Sequence, residues 1–393
     1  MTTSVQPEGV RGTVEPGFEP VIDRLRESVA ADPSFAGTLC VYHHGRRVLD
    51  LWWGPGTEAD ELLPVFSSSK GAAGIVIACL LRDGLVDLNS PVADLWPEFA
   101  ACGKAAVPVR QLLSHQAGLL GVDGGYGYDE LYGHAPLAAR LAAQRPHWAP
   151  GSAFAYHALT IGVLMDELVL RATGERLGAY LRAHVTGPRG LDVYLGTPET
   201  EDARVVAVEL PTDAELAAFV DVAVPASPKG SIRWLALPDD EPNLLIECNS
   251  ARFRRAGTPA GGGLANGRGL AGLYAAIHHE VGGEARLLDS ETVGAVSQQQ
   301  VWGLELGNPF ASAFAVVFQK PTERLPFGSY RAFGHDGAGG SLAYCDPLFD
   351  VAFGYTVHRI PLPGGADERA LRLTRDVRRC CVAADGGTPR AAW

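Results

Sequence analysis

The 393-residue sequence predicts an α/β chain of the α+β kind, with an antiparallel sheet flanked by helices and a helical lobe inserted into it. Three observations predict this. Extended apolar runs cluster toward both ends, helical periodicities fill the middle, and the length exceeds what one hydrophobic core usually carries. Residues 1–85 and 255–393 are expected to share the sheet lobe and residues 86–254 to form the mainly helical lobe, with a cleft between them.

The elements follow in chain order. Val21, Ile22, Leu25 and Val29 recur at helical spacing, so residues 20–31 read as an amphipathic helix. GTLCVYHHGRRVLDLWWG, residues 37–54, reads as a hairpin: an apolar run, a His-Gly turn and a second apolar run. Residues 50–61 are rich in Gly and acids and read as a loop. From Ser67 the spacing of Ala72, Ile75, Val76, Cys79 and Leu80 predicts a helix that Gly84 ends in a left-handed conformation. Beyond residue 85, short helical patterns alternate with loops such as GVDGGYGYDE, and residues 158–173 form a further helix closed by Gly174. Strands are expected at 312–319, 330–335, 340–346 and 351–358.

Composition narrows the functional classes. Hydrophobic residues make up 47% and charged residues 20%, as in a soluble globular enzyme. Thirty-three basic against 45 acidic residues give a formal charge of -12. Such a surface repels phosphate backbones and anionic headgroups, which argues against nucleic-acid and membrane partners. The first 20 residues hold no apolar run, and the longest apolar stretch, residues 72–81, is too short to cross a bilayer. A cytoplasmic protein is expected. The seven cysteines (Cys40, Cys79, Cys102, Cys248, Cys345, Cys380, Cys381) are scattered with no C-x-x-C pair, which suits reduced thiols better than a disulfide framework or a zinc site.

Chemistry is suggested first by VFSSSKGAAG, where Ser67 and Lys70 stand three apart at a helix start. Positions i and i+3 share a helical face, so the amine can reach the hydroxyl. A serine hydroxyl needs a neighbouring base, and a lysine serves as one only when desolvation or nearby cations depress its pKa. Alone, the spacing equally fits a helix-capping Ser and a solvated Lys; Ser68 and Ser69 are fallback nucleophiles. A second cue is Tyr156 in APGSAFAYHALT, where a phenol beside a lysine ammonium would shift toward phenolate and share the proton shuttling. The third is FGHDGAGGSLAYCDP, where His335 ends an apolar run and Gly337, Gly339 and Gly340 allow backbone to approach a ligand. Other features are read as structural. His278-His279-Glu280 is taken as solvated helix and His115 as a hydrogen bonder beneath the site. Ser341 lacks the final Gly of an α/β-hydrolase elbow. Trp148, Tyr126 and Tyr128 could shape a cleft.

Taken in order, Ser67-Ser68-Ser69-Lys70, Tyr156 and His335-Asp336-Gly337 resemble the serine β-lactamase and penicillin-binding-protein superfamily, in particular its class C β-lactamase-like branch and the family VIII carboxylesterases. The flanking segments GLVDLNSPVADLWPEF, VPVRQLLSHQAGL and GGGLANGRGLAGLYAAI look alike too, so the resemblance spans about residues 20–375. It implies a β-lactamase/transpeptidase-like fold in which Ser67 forms an acyl-enzyme while Lys70 and Tyr156 handle its proton. The N–H groups of Ser67 and Ala338 would hold the oxyanion. His335, Asp336, Gly337, His157 and Trp148 would line the substrate site. No metal or organic cofactor is implied. Where the lactamases carry Tyr-x-Asn this chain has Tyr156-His157-Ala158, and His335-Asp336-Gly337 replaces Lys-Thr-Gly. The groups that engage a β-lactam are therefore missing, and a small-molecule ester or related acyl substrate is the expectation. Alternatives are an acyltransferase or amide-forming, cyclising thioesterase, a weak β-lactamase, and a non-catalytic scaffold of the same fold.

Overall fold

The computed structural model describes residues 3–5, 9–220, 227–238, 242–388 and 391. Its strands are β1 (Thr3–Val5), β2 (Val10–Val14), β3 (Gly37–His43), β4 (Arg46–Trp53), β5 (Leu63–Pro64), β6 (Val193–Tyr194), β7 (Leu264–Ala265), β8 (Val301–Leu304), β9 (Ala311–Phe314), β10 (Phe333–Asp336), β11 (Leu342–Asp346) and β12 (Val351–Val357). Seven of them form one antiparallel sheet in the order β1-β2-β4-β3-β12-β11-β10. The join between the two ends of the chain is the β3–β12 ladder, which runs from Gly37 opposite Val357 to His43 opposite Val351. β5, β7 and β6 form a small second sheet, and β8 pairs with β9 as a hairpin.

The central strands read as continuous apolar runs because both faces of the sheet are covered. On one face, helix α1 (Glu19–Ala31) and the C-terminal helix Glu368–Ala384 pack Val21, Leu25, Leu373 and Val377 onto Leu39, Val41, Phe353 and Tyr355. On the other, helix α2 (Ser68–Arg82) and the helix Gly267–Ala275 bury Ile75, Val76, Leu270 and Leu273 with Ala343, Cys345 and Ala352. This second core continues without a break into the helix Thr160–Thr173, whose residues Thr160 to Val169 are all buried. α2 is likewise buried from Ser68 to Leu80, as expected of a helix that is apolar on every side.

Several boundaries differ from the sequence reading. Residues 50–53 continue β4 instead of opening a loop, because Leu51 and Trp53 face the core. The run expected as one strand at 312–319 stops at Phe314. The chain reverses through Val317 at φ +70°, and Gln319 pairs with Gly334. Every residue of 313–318 is buried, so no polar alternation marks the turn. His278 and His279 lie just past the end of Gly267–Ala275, not inside a helix. All seven cysteines are free thiols, buried except Cys102. Among the described residues no helix is long and apolar enough to cross a membrane.

Candidate active site

The serine cluster is built by a sharp entry into α2. Val65 donates its N–H to Gly263 O at 2.9 Å, holding the chain against the small sheet. Phe66 then takes φ +45°, a left-handed conformation rare for a bulky side chain, with its ring buried against Phe253. The kink leaves Ser67 half-buried while Ser68, Ser69 and Lys70 turn inward. Ser68 Oγ lies 2.8 Å from Ser341 Oγ and 3.1 Å from His335 O, and Ser69 Oγ accepts the Gly263 N–H at 2.9 Å. The two fallback nucleophiles are thus committed to the scaffold, and Ser67 alone of the three faces the other reactive groups.

Lys70 is wholly buried and reaches three oxygens: Ala260 O at 2.6 Å, Ala158 O at 2.8 Å and Ser67 Oγ at 3.1 Å. Tyr156 Oη donates to the same Ser67 Oγ at 2.9 Å, and the Lys70 nitrogen stands 4.7 Å from the Tyr156 ring centre. Burial holds the Lys70 amine well below its usual pKa, opposed only in part by the Asp336 carboxylate. Burial also pushes the Tyr156 phenol up; the Ser67 hydrogen bond pulls the other way, and the Asp336 and Glu305 carboxylates reinforce the rise. The expected drift of Tyr156 toward phenolate beside an ammonium is therefore overturned: the site favours an amine and a phenol, both uncharged. A neutral amine has two hydrogens and one lone pair. The two carbonyls can only accept, so they take both hydrogens, which leaves the lone pair aimed at the Ser67 hydroxyl.

Tyr156 is fixed from the β8–β9 hairpin by a residue that sequence reading missed. The buried Glu305 accepts the Tyr156 N–H with Oε2, while its Oε1 accepts Asn308 Nδ2 at 2.6 Å and Ser312 Oγ at 2.9 Å. Phe314 stacks parallel to the Tyr156 ring at 5.7 Å, and His115 meets it edge-on at 5.2 Å.

His157, expected to line the substrate site, does not. It is wholly buried, with Nδ1–H donating to Ala155 O at 2.6 Å and Nε2 accepting the Leu119 N–H at 2.9 Å, so neither nitrogen is left for a ligand. Burial lowers its pKa to about 4. Its own N–H donates to His115 Nδ1 at 3.1 Å. Trp148 stands edge-on against His157, 5.9 Å between ring centres, and its Nε1–H donates to Gln116 O at 3.2 Å. It packs beside a small cluster with Leu120 and Trp234.

The β10–β11 turn closes over the kink. A Cβ on Gly337 would sit 2.2 Å from Val65 O, and one on Gly339 would sit 2.4 Å from the Phe66 ring, so glycine is required at both for this approach. The Gly337 N–H is already taken by Ser341 O at 2.9 Å. By contrast, neither the Ser67 nor the Ala338 N–H has an acceptor among the described residues. His335 is wholly buried 5.9 Å from the Tyr156 ring centre, and its Nδ1–H donates to Asp336 O at 2.7 Å. Its Nε2 therefore carries a lone pair, and it has no partner among the described residues. Burial lowers its pKa to about 3. Asp336 turns its carboxylate to the Ala366 N–H at 3.1 Å, so it reaches Lys70 and Tyr156 through its field alone.

Comparison with known proteins places the chain in a family. The Beta-lactamase family model matches residues 22–376. The chain is 33% identical over 371 residues to the esterase/beta-lactamase LipL of Mycobacterium tuberculosis, covering 90% of this chain and 84% of that one. Among solved structures, EstA from Arthrobacter nitroguajacolicus Rue61a superposes with a TM-score of 0.88 at 38% identity, over 94% of this chain and 98% of EstA. A family VIII carboxylesterase superposes with a TM-score of 0.84 at 30% identity, over 94% of this chain and 99% of that one. A serine hydrolase with the β-lactamase/transpeptidase-like fold, this chain belongs to the β-lactamase family.

Proposed function

We propose that the chain hydrolyses carboxylic esters of small molecules through an acyl-enzyme on Ser67. The observation that carries this reading is the convergence of Lys70 Nζ and Tyr156 Oη on Ser67 Oγ, with both hydrogens of a neutral amine spent on Ala158 O and Ala260 O. In this scheme Ser67 Oγ attacks the acyl carbonyl as its proton passes to the Lys70 lone pair. The carbonyl oxygen, now negative, is held by the unpaired N–H groups of Ser67 and Ala338. The tetrahedral adduct collapses by breaking the ester C–O bond. The departing alkoxide takes the Tyr156 proton, and Lys70 returns its proton to Tyr156. Water then attacks the acyl-enzyme by the reverse route, giving the carboxylic acid and restoring Ser67.

Burial lowers the Lys70 amine and raises the Tyr156 phenol, and both shifts favour the uncharged pair that this scheme uses. Glu305 and Phe314 would act on this reaction only by holding Tyr156 in place. The departures at Ala158 and His335 favour an ester over a β-lactam, since the site residues supply no amide at 158 and no lysine at 335 to engage one. The reading is tested by incubating the protein with a fluorophosphonate or a chromogenic short-chain ester and weighing the intact chain. One acyl or phosphonyl adduct on Ser67 is expected, absent in Ser67→Ala. An adduct that persists in Ser67→Ala would move the nucleophile elsewhere.

A further inference from the structure

Away from the nucleophile, His43 and His44 close the β3–β4 hairpin against the end of the C-terminal helix. Neighbouring side chains on a strand point to opposite faces. Here His44 leaves the strand at φ +49°, and the two rings lie side by side with centroids 4.0 Å apart. Both Nε2 atoms converge on Asp385, the residue that ends the helix Glu368–Ala384. His44 Nε2 is 2.9 Å from Oδ1 and His43 Nε2 is 3.6 Å from Oδ2. One donor atom from each of the three residues lies within 4.8 Å of the others. Behind them, His44 Nδ1 is 2.8 Å from Asp350 Oδ2, and the other Asp350 oxygen is 2.6 Å from His279 Nε2.

A neutral imidazole has one N–H. If His44 gives it to Asp350, its Nε2 lone pair faces a carboxylate oxygen, and something positive has to stand between them. A proton on Nε2 would answer for His44 but not for His43, whose Nε2 is buried with no hydrogen-bond partner among the described residues. A metal ion answers for both. Nitrogen and oxygen ligands at zinc distances in tetrahedral geometry stand roughly 3.3 Å apart; the two imidazole nitrogens lie 2.9 and 3.6 Å from different oxygens of the one Asp385 carboxylate, and one donor atom of each residue falls within 4.8 Å of the others. The Asp350–His44 contact has the form of the carboxylate that orients a metal-ligating histidine, and a helix C-terminus favours a cation.

We propose that His43, His44 and Asp385 bind one divalent transition-metal ion, zinc(II) by the chemistry of the donor set, with Asp350 orienting His44 and His279 behind it. The ion would tie the β3–β4 turn to the end of the C-terminal helix and take no part in ester chemistry. This departs from the sequence reading, which foresaw no metal.

The test uses untagged full-length protein, stripped with a chelator and titrated with zinc(II) by calorimetry, with cobalt(II) as an optical probe. One equivalent of zinc(II) is expected to bind with sub-micromolar affinity and to raise the melting temperature, and cobalt(II) should give visible bands of imidazole ligation. His43→Ala and Asp385→Asn should each weaken binding at least tenfold while ester turnover, the check on folding, stays within about twofold. Failure of the parent protein to bind zinc(II) saturably, or affinity unchanged in both variants, overturns the proposal and leaves His44 as an ion-paired link. Neither outcome depends on whether Ser67 is the nucleophile.

Discussion

The histidines of this fold occupy two contrasting surroundings. Near Ser67, His115, His157 and His335 are wholly buried and meet backbone groups and aromatic rings. At the far end of the β3–β4 hairpin, His43, His44 and His279 meet the carboxylates of Asp350 and Asp385. Burial without a counter-charge strips positive charge from the first set; in the second, burial still lowers His43, while the burial of His44 is outweighed by its hydrogen bonds to Asp385 and Asp350, which shift it upward. The active site uses the first environment throughout. Lys70 is pushed toward the neutral amine there by the same desolvation that lowers His157 to about 4 and His335 to about 3. A carboxylate hydrogen-bonded to Lys70 would make it an ammonium with no lone pair for Ser67.

The experiments that break or sharpen this contrast run from large effects to small. Replacing the buried amine by an uncharged chain of similar length, Lys70→Met, should lower ester turnover by about 10²–10⁴-fold, the usual range for losing a general base. Circular dichroism should show the fold retained; turnover within tenfold of the parent would break the claim that Lys70 is the base. Glu305→Gln keeps one acceptor oxygen but gives up the other. It should lower kcat by about 10- to 100-fold with KM little changed, because Tyr156 loses its anchor.

The third test is the pH dependence of stability. Unfolded, His157 and His335 titrate near 6.5; folded, they titrate near 4 and 3. Between those values the unfolded chain binds protons that the folded chain refuses, so stability falls as pH drops below about 6.5. Each histidine contributes at most about 1.4 kcal/mol per pH unit. Urea unfolding at pH 7 and pH 5 should show the loss, and equal midpoints would mean that these imidazoles are protonated in the fold. The smallest effect is Ser68→Ala, expected to cost about 1 kcal/mol for its lost hydrogen bonds with turnover changed less than about threefold, against the complete loss in Ser67→Ala.

What the sequence made legible follows the same physics. Ser67 and Lys70 could be read because one helical turn sets their separation, and the apolar residues around them foretell burial. The sheet built from both ends could be read from period and length. Tyr156 gave only a weak local signal, a tyrosine after a Pro-Gly turn at a helix start; its place came from order along the chain. Glu305 was hidden by an inverted pattern: Trp302, Leu304 and Leu306 face outward and the acid faces in, so alternation would put the carboxylate in water. His157 misled because its position in the motif suggested a ligand contact, whereas Ala155 O and the Leu119 N–H occupy both its nitrogens. The C-terminal helix carries an apolar stripe at 370, 373, 377, 380 and 381 that is interleaved with arginines, so its periodicity is masked by charge.

The central claim is that Lys70 is uncharged when Ser67 attacks. The measurement that tests it most directly is kcat/KM for an activated ester between pH 5 and 11, in the parent protein and in Lys70→Met. The account predicts a rise with pH whose midpoint lies well below 10.5, the ordinary lysine value, and which disappears in the variant. A midpoint at the ordinary lysine value, or the same rise in Lys70→Met, would contradict it.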